Sequence, residues 1–431
     1  GAASKIINND PGRPVQGATV DNMAQSIRDD SEANALFLSN GEETVLLMSC
    51  DIGVLTSDFL EPMRRAMAEA AGIPFTNIVT CPTHMHSGPS VLSTNYLKSI
   101  DRDYLDRLGP WLVELACEAA ENARPARIGW GLGSARVGYN RRCCWADGAH
   151  TMHRQPGHGQ FTGLEGPEDP SHLALFAVDS DDEPIAIAHN NTTHPTSFYG
   201  ADFYSADFPG AARSHLRDVF GDLPVLFLNG AFGDQAMVSQ VAENNLPESS
   251  EQKMQRVAHL LAGETLRLFH EAGFTADVPL RHHREMLEAE VRLPSPEKVE
   301  WAEDVLEKVD AGEKVAPKER MVAHGVQRLQ EDFGDDPQDA LPLHALRIGD
   351  VGMVSQPCEL YCQFGLDLKR RSPAPATAVI HGGGYNGYLP TSYGPLGGGY
   401  SADPMHWSRQ KPETGYRIVD AGARMLHELW E

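Results

Sequence analysis

The sequence predicts an α/β fold: a mixed β-sheet core flanked by helices and carrying a helical insertion. Short apolar, β-branched runs alternate with longer stretches of helical periodicity. Several of those runs end in clusters of histidine, asparagine and glycine. With 431 residues, 41% hydrophobic and 22% charged, the chain can also bury a large core and lies far from the disordered class.

Taken in order, strands are predicted over 44–50, 77–81, 172–178, 184–189, 224–228, 343–348 and 351–354, each an apolar run of the length a buried strand needs. Helices are predicted over 58–71, 104–123, 210–219, 251–272 and 416–429, where apolar residues recur every three or four positions. Two charged, helix-prone stretches, 296–309 and 317–333, follow a strand-like run at 281–293. They read as a helical hairpin inserted at about 294–335 into a single domain spanning 1–431, with a solvated face and no chemistry. No solenoid or propeller period is present. The Gly-, Tyr- and Pro-rich stretch 382–399 reads as a long loop of the kind that carries function.

Thirty-six basic against sixty acidic side chains give a net charge of −24, which makes nucleic acid and anionic membrane surfaces poor partners. Apolar runs such as 44–49 and 225–228 are far shorter than the ~20 residues of a membrane span. Seven scattered cysteines form a poor disulfide framework and fit a reducing compartment better. No signal pattern opens the sequence, so a cytoplasmic location is favoured, with a secreted or periplasmic one open if a leader was removed.

The polar clusters carry the functional reading. Run 44–50 leads into Asp51, run 77–81 into His84 and His86, run 184–189 into Asn190, Asn191 and His194, and run 224–228 into Asn229 and Gly230. Ligands of open α/β sheets bind beyond the carboxyl ends of strands, so these clusters can share one site. In an extended segment His-x-His puts both imidazoles on one side. With His194 they form a set suited to a metal such as zinc, although iron or manganese would also suit. His381-Gly382-Gly383-Gly384 resembles a lipase oxyanion motif, but no Gly-x-Ser-x-Gly elbow accompanies it. Gly129-Trp130-Gly131-Leu132-Gly133 lacks dinucleotide spacing, and no Walker loop exists. Cys143-Cys144 and the Cys358/Cys362 pair lack structural-zinc spacing and read as packing residues, and His282-His283 reads as surface.

These motifs together resemble the neutral/alkaline ceramidase family. Thr83-His84-Met85-His86-Ser87-Gly88-Pro89 is similar to its Thr-His-Thr-His-Ser-Gly-Pro run, and His194-Pro195-Thr196-Ser197 to its second histidine segment. Ser205-Ala206-Asp207-Phe208-Pro209-Gly210 resembles the segment after that, and Asn140-Arg141 the family's Asn-Arg. Gln356-Pro357-Cys358-Glu359-Leu360 resembles its metal-binding glutamate segment. Tyr388-Leu389-Pro390-Thr391 followed by Gly399-Tyr400 resembles its tyrosine loop.

The resemblance implies one zinc ion per chain, held by His84, His194, Glu359 and Tyr388. His86 would be the acid/base, with Tyr400 and Arg141 on the substrate carbonyl. It implies hydrolysis of the amide bond of a small-molecule or lipid N-acyl compound by a metal-activated water, followed by protonation of the leaving amine by His86. Where ceramidases carry a serine in Gly-Asp-Val-Ser-Pro, this chain reads Gly233-Asp234-Gln235-Ala236-Met237, which leaves water as the nucleophile. Only thirty-one residues follow Tyr400, so the C-terminal β-sandwich of the larger ceramidases is not expected. An esterase, an N-deacetylase of a small or sugar-linked substrate, and a non-catalytic metal-stabilised binding protein are the alternatives.

Overall fold

The computed structural model of the chain describes residues 1–17, 22–92, 100–155, 157–241 and 248–431. Its core is three four-stranded mixed sheets. The first holds β1 (Ala2–Ile6), β2 (Glu32–Ser39), β3 (Thr44–Cys50) and β4 (Ile78–Pro82). The second holds β5 (Arg127–Ser134), β6 (Ser171–Val178), β7 (Pro184–Asn191) and β8 (Val225–Asn229). The third holds β9 (Leu280–Glu290), β10 (Gln338–Ile348), β11 (Val351–Gln356) and β12 (Ala376–His381).

In each sheet the strands lie in chain order, the first three antiparallel and the fourth parallel to the third. A parallel neighbour needs a crossover, and a helix supplies it each time. These are α1 (Ser57–Ala71), α3 (Asp207–Phe220) and α7 (Cys362–Arg371). A second helix follows each fourth strand: α2 (Arg102–Glu121), α4 (Ser250–Glu271) and α8 (Glu413–Trp430). The chain thus runs three times through one β-β-β-α-β-α unit. The hairpin α5 (Pro296–Asp310) and α6 (Pro317–Phe333) is inserted between β9 and β10.

Alternation along the strands explains how the sheets pack. Val45, Leu47, Leu173, Leu175, Leu226, Leu228, Met353 and Ile380 share one buried cluster to which all three sheets contribute. Their sequence neighbours face outward: Leu46 and Met48 meet α2 residues such as Leu108 and Leu112, and Phe176 and Ile187 meet Leu216 of α3. On the third sheet Val354 and Val379 meet Phe364 of α7 and Ile418 of α8. Strands buried on both faces lose the alternation of half-exposed ones, which is why they read as continuous apolar runs. Buried side chains bond across the junctions. Ser49 Oγ donates to the Phe227 carbonyl at 2.8 Å, and Asn190 Nδ2 to the carbonyls of Leu228 and Val379 at 2.6 and 2.9 Å.

Four core strands escape the sequence pattern: β1, β2, β5 and β12. β2 reads Glu-Ala-Asn-Ala-Leu-Phe-Leu-Ser, rich in helix formers, and tertiary burial overrides that preference. In β5 the glycines weaken the strand signal but serve packing. A Cβ at Gly129 would lie 2.7 Å from the Phe274 ring, and one at Gly131 would lie 2.9 Å from Leu268 of α4. The α5/α6 hairpin is less solvated than its charge suggests, since Ala302, Val305, Met321, Ala323 and Val326 are buried in the third sheet's outer core. His282, expected at the surface, is partly buried, with Nε2 3.1 Å from Nδ1 of the buried His344.

Candidate metal centre

The loops that leave β4, β7, β11 and β12 meet at one end of the three-sheet core. The Thr83 and His84 amides donate to the carbonyls of Cys50 and Ile52 at 2.8 and 3.1 Å, and Asn229 Nδ2 to the Thr83 carbonyl at 3.1 Å. His84 is held at φ +69°, a left-handed conformation costing a non-glycine residue on the order of 1–3 kcal/mol. Such strain concentrates where surrounding structure forces a side chain toward a site. The His86 amide donates to the Pro195 carbonyl at 3.2 Å, tying the His-x-His loop to the His194 loop. Glu359 sits in a two-residue strand, Glu359–Leu360, parallel to Tyr388–Leu389, with Glu359 opposite Tyr388.

Close backbone approach makes this junction possible. The Gly233 amide donates to the Leu360 carbonyl at 2.8 Å, and a Cβ at Gly233 would lie 2.2 Å from the Glu359 carbonyl oxygen. Asp234 accepts from Asn140 Nδ2 at 2.8 Å and from the Cys362 amide at 2.8 Å, so it anchors the Asn140-Arg141 segment and the start of α7 together. Burial pushes the Asp234 carboxyl up to about 6.

Among the described residues, His84, His86 and His194 form a cluster whose ligand atoms all lie within 4.8 Å of one another. Nε2 of His84 and Nε2 of His194 each stand 3.6 Å from Oε2 of Glu359. The other carboxylate oxygen, Oε1, accepts the Tyr385 hydroxyl at 2.8 Å. That bond fixes the carboxylate plane and leaves Oε2 without a hydrogen-bond partner, as is Nε2 of His194. Two donors about 2.0–2.1 Å from a tetrahedral ion stand roughly 3.4 Å apart, so the 3.6 Å separations are compatible with a bound divalent ion. The donor set fits a divalent metal.

Charge around the seat is as unusual as its geometry. Burial alone would raise the Glu359 carboxyl. The neighbouring His84, the Tyr385 hydroxyl and His381 outweigh it and hold the group down at about 2. Burial, then the neighbouring His84 and Arg141, lower His86 to about 3 against the pull of Glu359, so its imidazole is neutral at pH 7 rather than poised near its ordinary value. Burial and Glu359 hold the Tyr388 phenol well above its ordinary range, so only a cation at the seat would remove its proton. Arg141 donates to the Gly233 carbonyl at 2.9 Å and the Tyr388 hydroxyl at 3.2 Å, while its Nε has no partner. Nδ1 of His194 lies 3.1 Å from Arg141 Nη2 and 3.3 Å from the Phe232 carbonyl, two contacts that require opposite tautomers. A cation on Nε2 selects the one in which Nδ1–H donates to Phe232.

The centre opens into a cleft of about 950 Å³. His84, His86, Arg141, His194, Glu359, Tyr388 and Tyr400 all line it, so every site residue expected from the sequence is brought to one place. Tyr400 packs edge-on against Tyr388 at 5.7 Å between ring centroids. Ala236 lines the wall at the position where a serine would otherwise stand. Segments 7–31, 135–170 and 291–337, each between the first and second strands of a unit, supply Gln16, His150 with Met152, and Lys318 with Met321. The helical hairpin therefore reaches the cleft, against the expectation that it has no part in the site.

Sequence reasoning missed Tyr385, His381 and Phe232. The His381 ring stands 5.5 Å from that of His84, and Phe232 packs against His84 at 4.6 Å and His194 at 4.8 Å. The signal for the first two was present. His381 opens the glycine run set aside as a lipase motif, and Tyr385 lies in the loop marked as functional.

Three mixed sheets around one core, with a metal-compatible histidine cluster where their loops converge, define the class of fold. It is the fold of solved neutral ceramidase structures. That of Pseudomonas aeruginosa superimposes with a TM-score of 0.73 at 16% identity over 100% of this chain and 74% of the other. A ceramidase complexed with C2 matches with a TM-score of 0.73 at 15% identity over the same shares. By sequence, the chain matches no family model and no curated protein.

Proposed function

We propose that the protein is a metal-dependent hydrolase, with one zinc ion per chain, that cleaves the amide bond of an N-acyl compound. The observation that carries this reading is the convergence of His84 Nε2, His194 Nε2 and the unpartnered Glu359 Oε2 at 3.6 Å separations on the floor of an open cleft. The neutral ceramidases that share the fold support the choice of a linear amide.

His84, His194 and Glu359 would hold the metal, with Tyr388 as fourth ligand. A zinc ion there would supply Lewis-acid polarisation of the carbonyl and acidify a nearby water. His86, neutral at rest, takes the proton the attacking water gives up and returns it to the leaving nitrogen. Arg141, through its unpartnered Nε, and the Tyr400 hydroxyl stabilise the negative charge that grows on the carbonyl oxygen. Ala236 offers no hydroxyl, so water is the nucleophile, and an ester would be cleaved by the same groups.

Elemental analysis together with amine release from N-acyl substrates tests the reading. About one zinc per chain, lost in His84→Ala with all activity, is expected. His86→Ala should keep the metal and lose activity by about 10²–10⁴-fold. Loss of zinc in His86→Ala would make His86 a ligand, and a chain that takes up no metal would sink the proposal.

A further inference from the structure

Although the chain carries a net charge of −24, the wall of its cleft does not share that sign. Among the described residues lining it, Arg141, Lys253 and Lys318 are cationic and Glu359 alone is anionic. Of the nearby acids, Glu165 is paired with Arg142 at 2.8 Å and lies 2.7 Å from His150 Nδ1, and Asp147 lies 3.3 Å from His158 Nδ1.

The three cations are not neutralised in this way. Among the described residues neither Lys253 nor Lys318 has an ion pair or a side-chain hydrogen bond. Arg141 is only 6% exposed and bonds no carboxylate, and its Nε is unsatisfied. A buried guanidinium with an orphan donor is costly unless a ligand completes it. Lys253 and Lys318 stand in the first turns of α4 and α6, where the helix ends add positive potential. The same cleft is also lined by Met85, Met152, Met237, Val238 and Met321, and methionines accommodate chains of varied shape.

Resting on the hydrolase reading above, we infer that the natural substrate is an anionic N-acyl compound, an acyl chain joined through the amide to a carboxylate-bearing amine as in an N-acyl amino acid. The methionines take the acyl chain, and Lys253 and Lys318 attract the carboxylate while Arg141 faces the amide carbonyl. A low-dielectric cleft focuses that attraction, and a neutral headgroup gains nothing from it.

The test compares N-dodecanoylglycine with N-dodecanoylethanolamine, probes of matched chain length that differ in charge, on the metal-loaded protein. Binding is read by calorimetry and turnover by amine release. The anionic probe should bind about tenfold more tightly at low salt, and the ratio should shrink as salt rises. K253Q/K318Q, which replaces exposed or half-buried positions, should reduce that ratio several-fold. Equal or weaker binding of the anion, no binding of either probe, or a ratio indifferent to both salt and the double substitution would overturn the inference. Tight binding of the anion without turnover of either probe would uphold the charge preference and remove the hydrolase reading instead. Cleavage of both with no preference would do the reverse.

Discussion

Tyr385 is a hydroxyl outside the proposed ligand set that holds one of its members in place. Its bond to Glu359 Oε1 decides which carboxylate oxygen stays free between His84 and His194. Removing it in Tyr385→Phe lets the carboxylate rotate. Zinc affinity, measured by competition with a chelator, should fall about 10–100-fold with the fold intact. Unchanged affinity would mean that the packing of the Glu359 strand alone fixes the group. His86 makes the complementary point: its partner residues place it, but burial sets its protonation, moving it from the usual imidazole range to about 3. Spacing in the sequence identified the residue and could not have supplied that value, because desolvation depends on what packs around it.

Between elements, glycine decides how closely segments approach. At Gly233 the backbone of the second unit touches that of the short Glu359 strand, and a Cβ would meet the Glu359 carbonyl oxygen at 2.2 Å. Gly233→Ala should cost about 1–3 kcal/mol in denaturant unfolding and lower metal occupancy, since Glu359 must shift. Gly263 lies within α4 with nothing within 4 Å of its Cβ position, so Gly263→Ala should stabilise by about 0.5–1 kcal/mol in the same experiment. If both substitutions act alike, close backbone approach at Gly233 is not what matters. Strand existence was legible in apolar runs such as β3 and β8, although β12, equally buried, escaped it. It was hidden where helix formers or glycines filled the strand, as in β2 and β5.

Across the whole molecule, buried titratable groups set how acid unfolds it. Outside the metal seat, burial lowers His172 and His282 to about 3 and takes His189 and His344 well below the ordinary value. Such histidines stay neutral in the folded chain while the unfolded chain protonates them near 6.5, so the stability they hold above that pH is lost as pH falls. Asp207 and Asp234, raised to about 6 by burial, work the other way, adding stability as pH falls from about 6 toward 4. The histidines held neutral outnumber these raised aspartates, so the balance is a net loss of stability as pH falls from 6 toward 4. Thermal unfolding should therefore show Tm dropping steeply below pH 6. A Tm that is flat or rises between pH 6 and 4 would contradict the balance.

From sequence came the alternation of strands and helices, the polar clusters at strand ends with His84, His86 and His194, and, through the resemblance of short motifs, Arg141, Glu359, Tyr388 and Tyr400. All of these are local: periodicity and motif spacing are written within a few residues of each other. The threefold recurrence of one β-β-β-α-β-α unit, the junction of the three sheets and the entry of Tyr385, His381 and Phe232 were decided only by tertiary structure. These depend on which apolar faces meet across hundreds of residues. Because the hydrophobic effect is non-directional, many different side chains fill the same core, and the repeat survives in the backbone without leaving a period in the sequence.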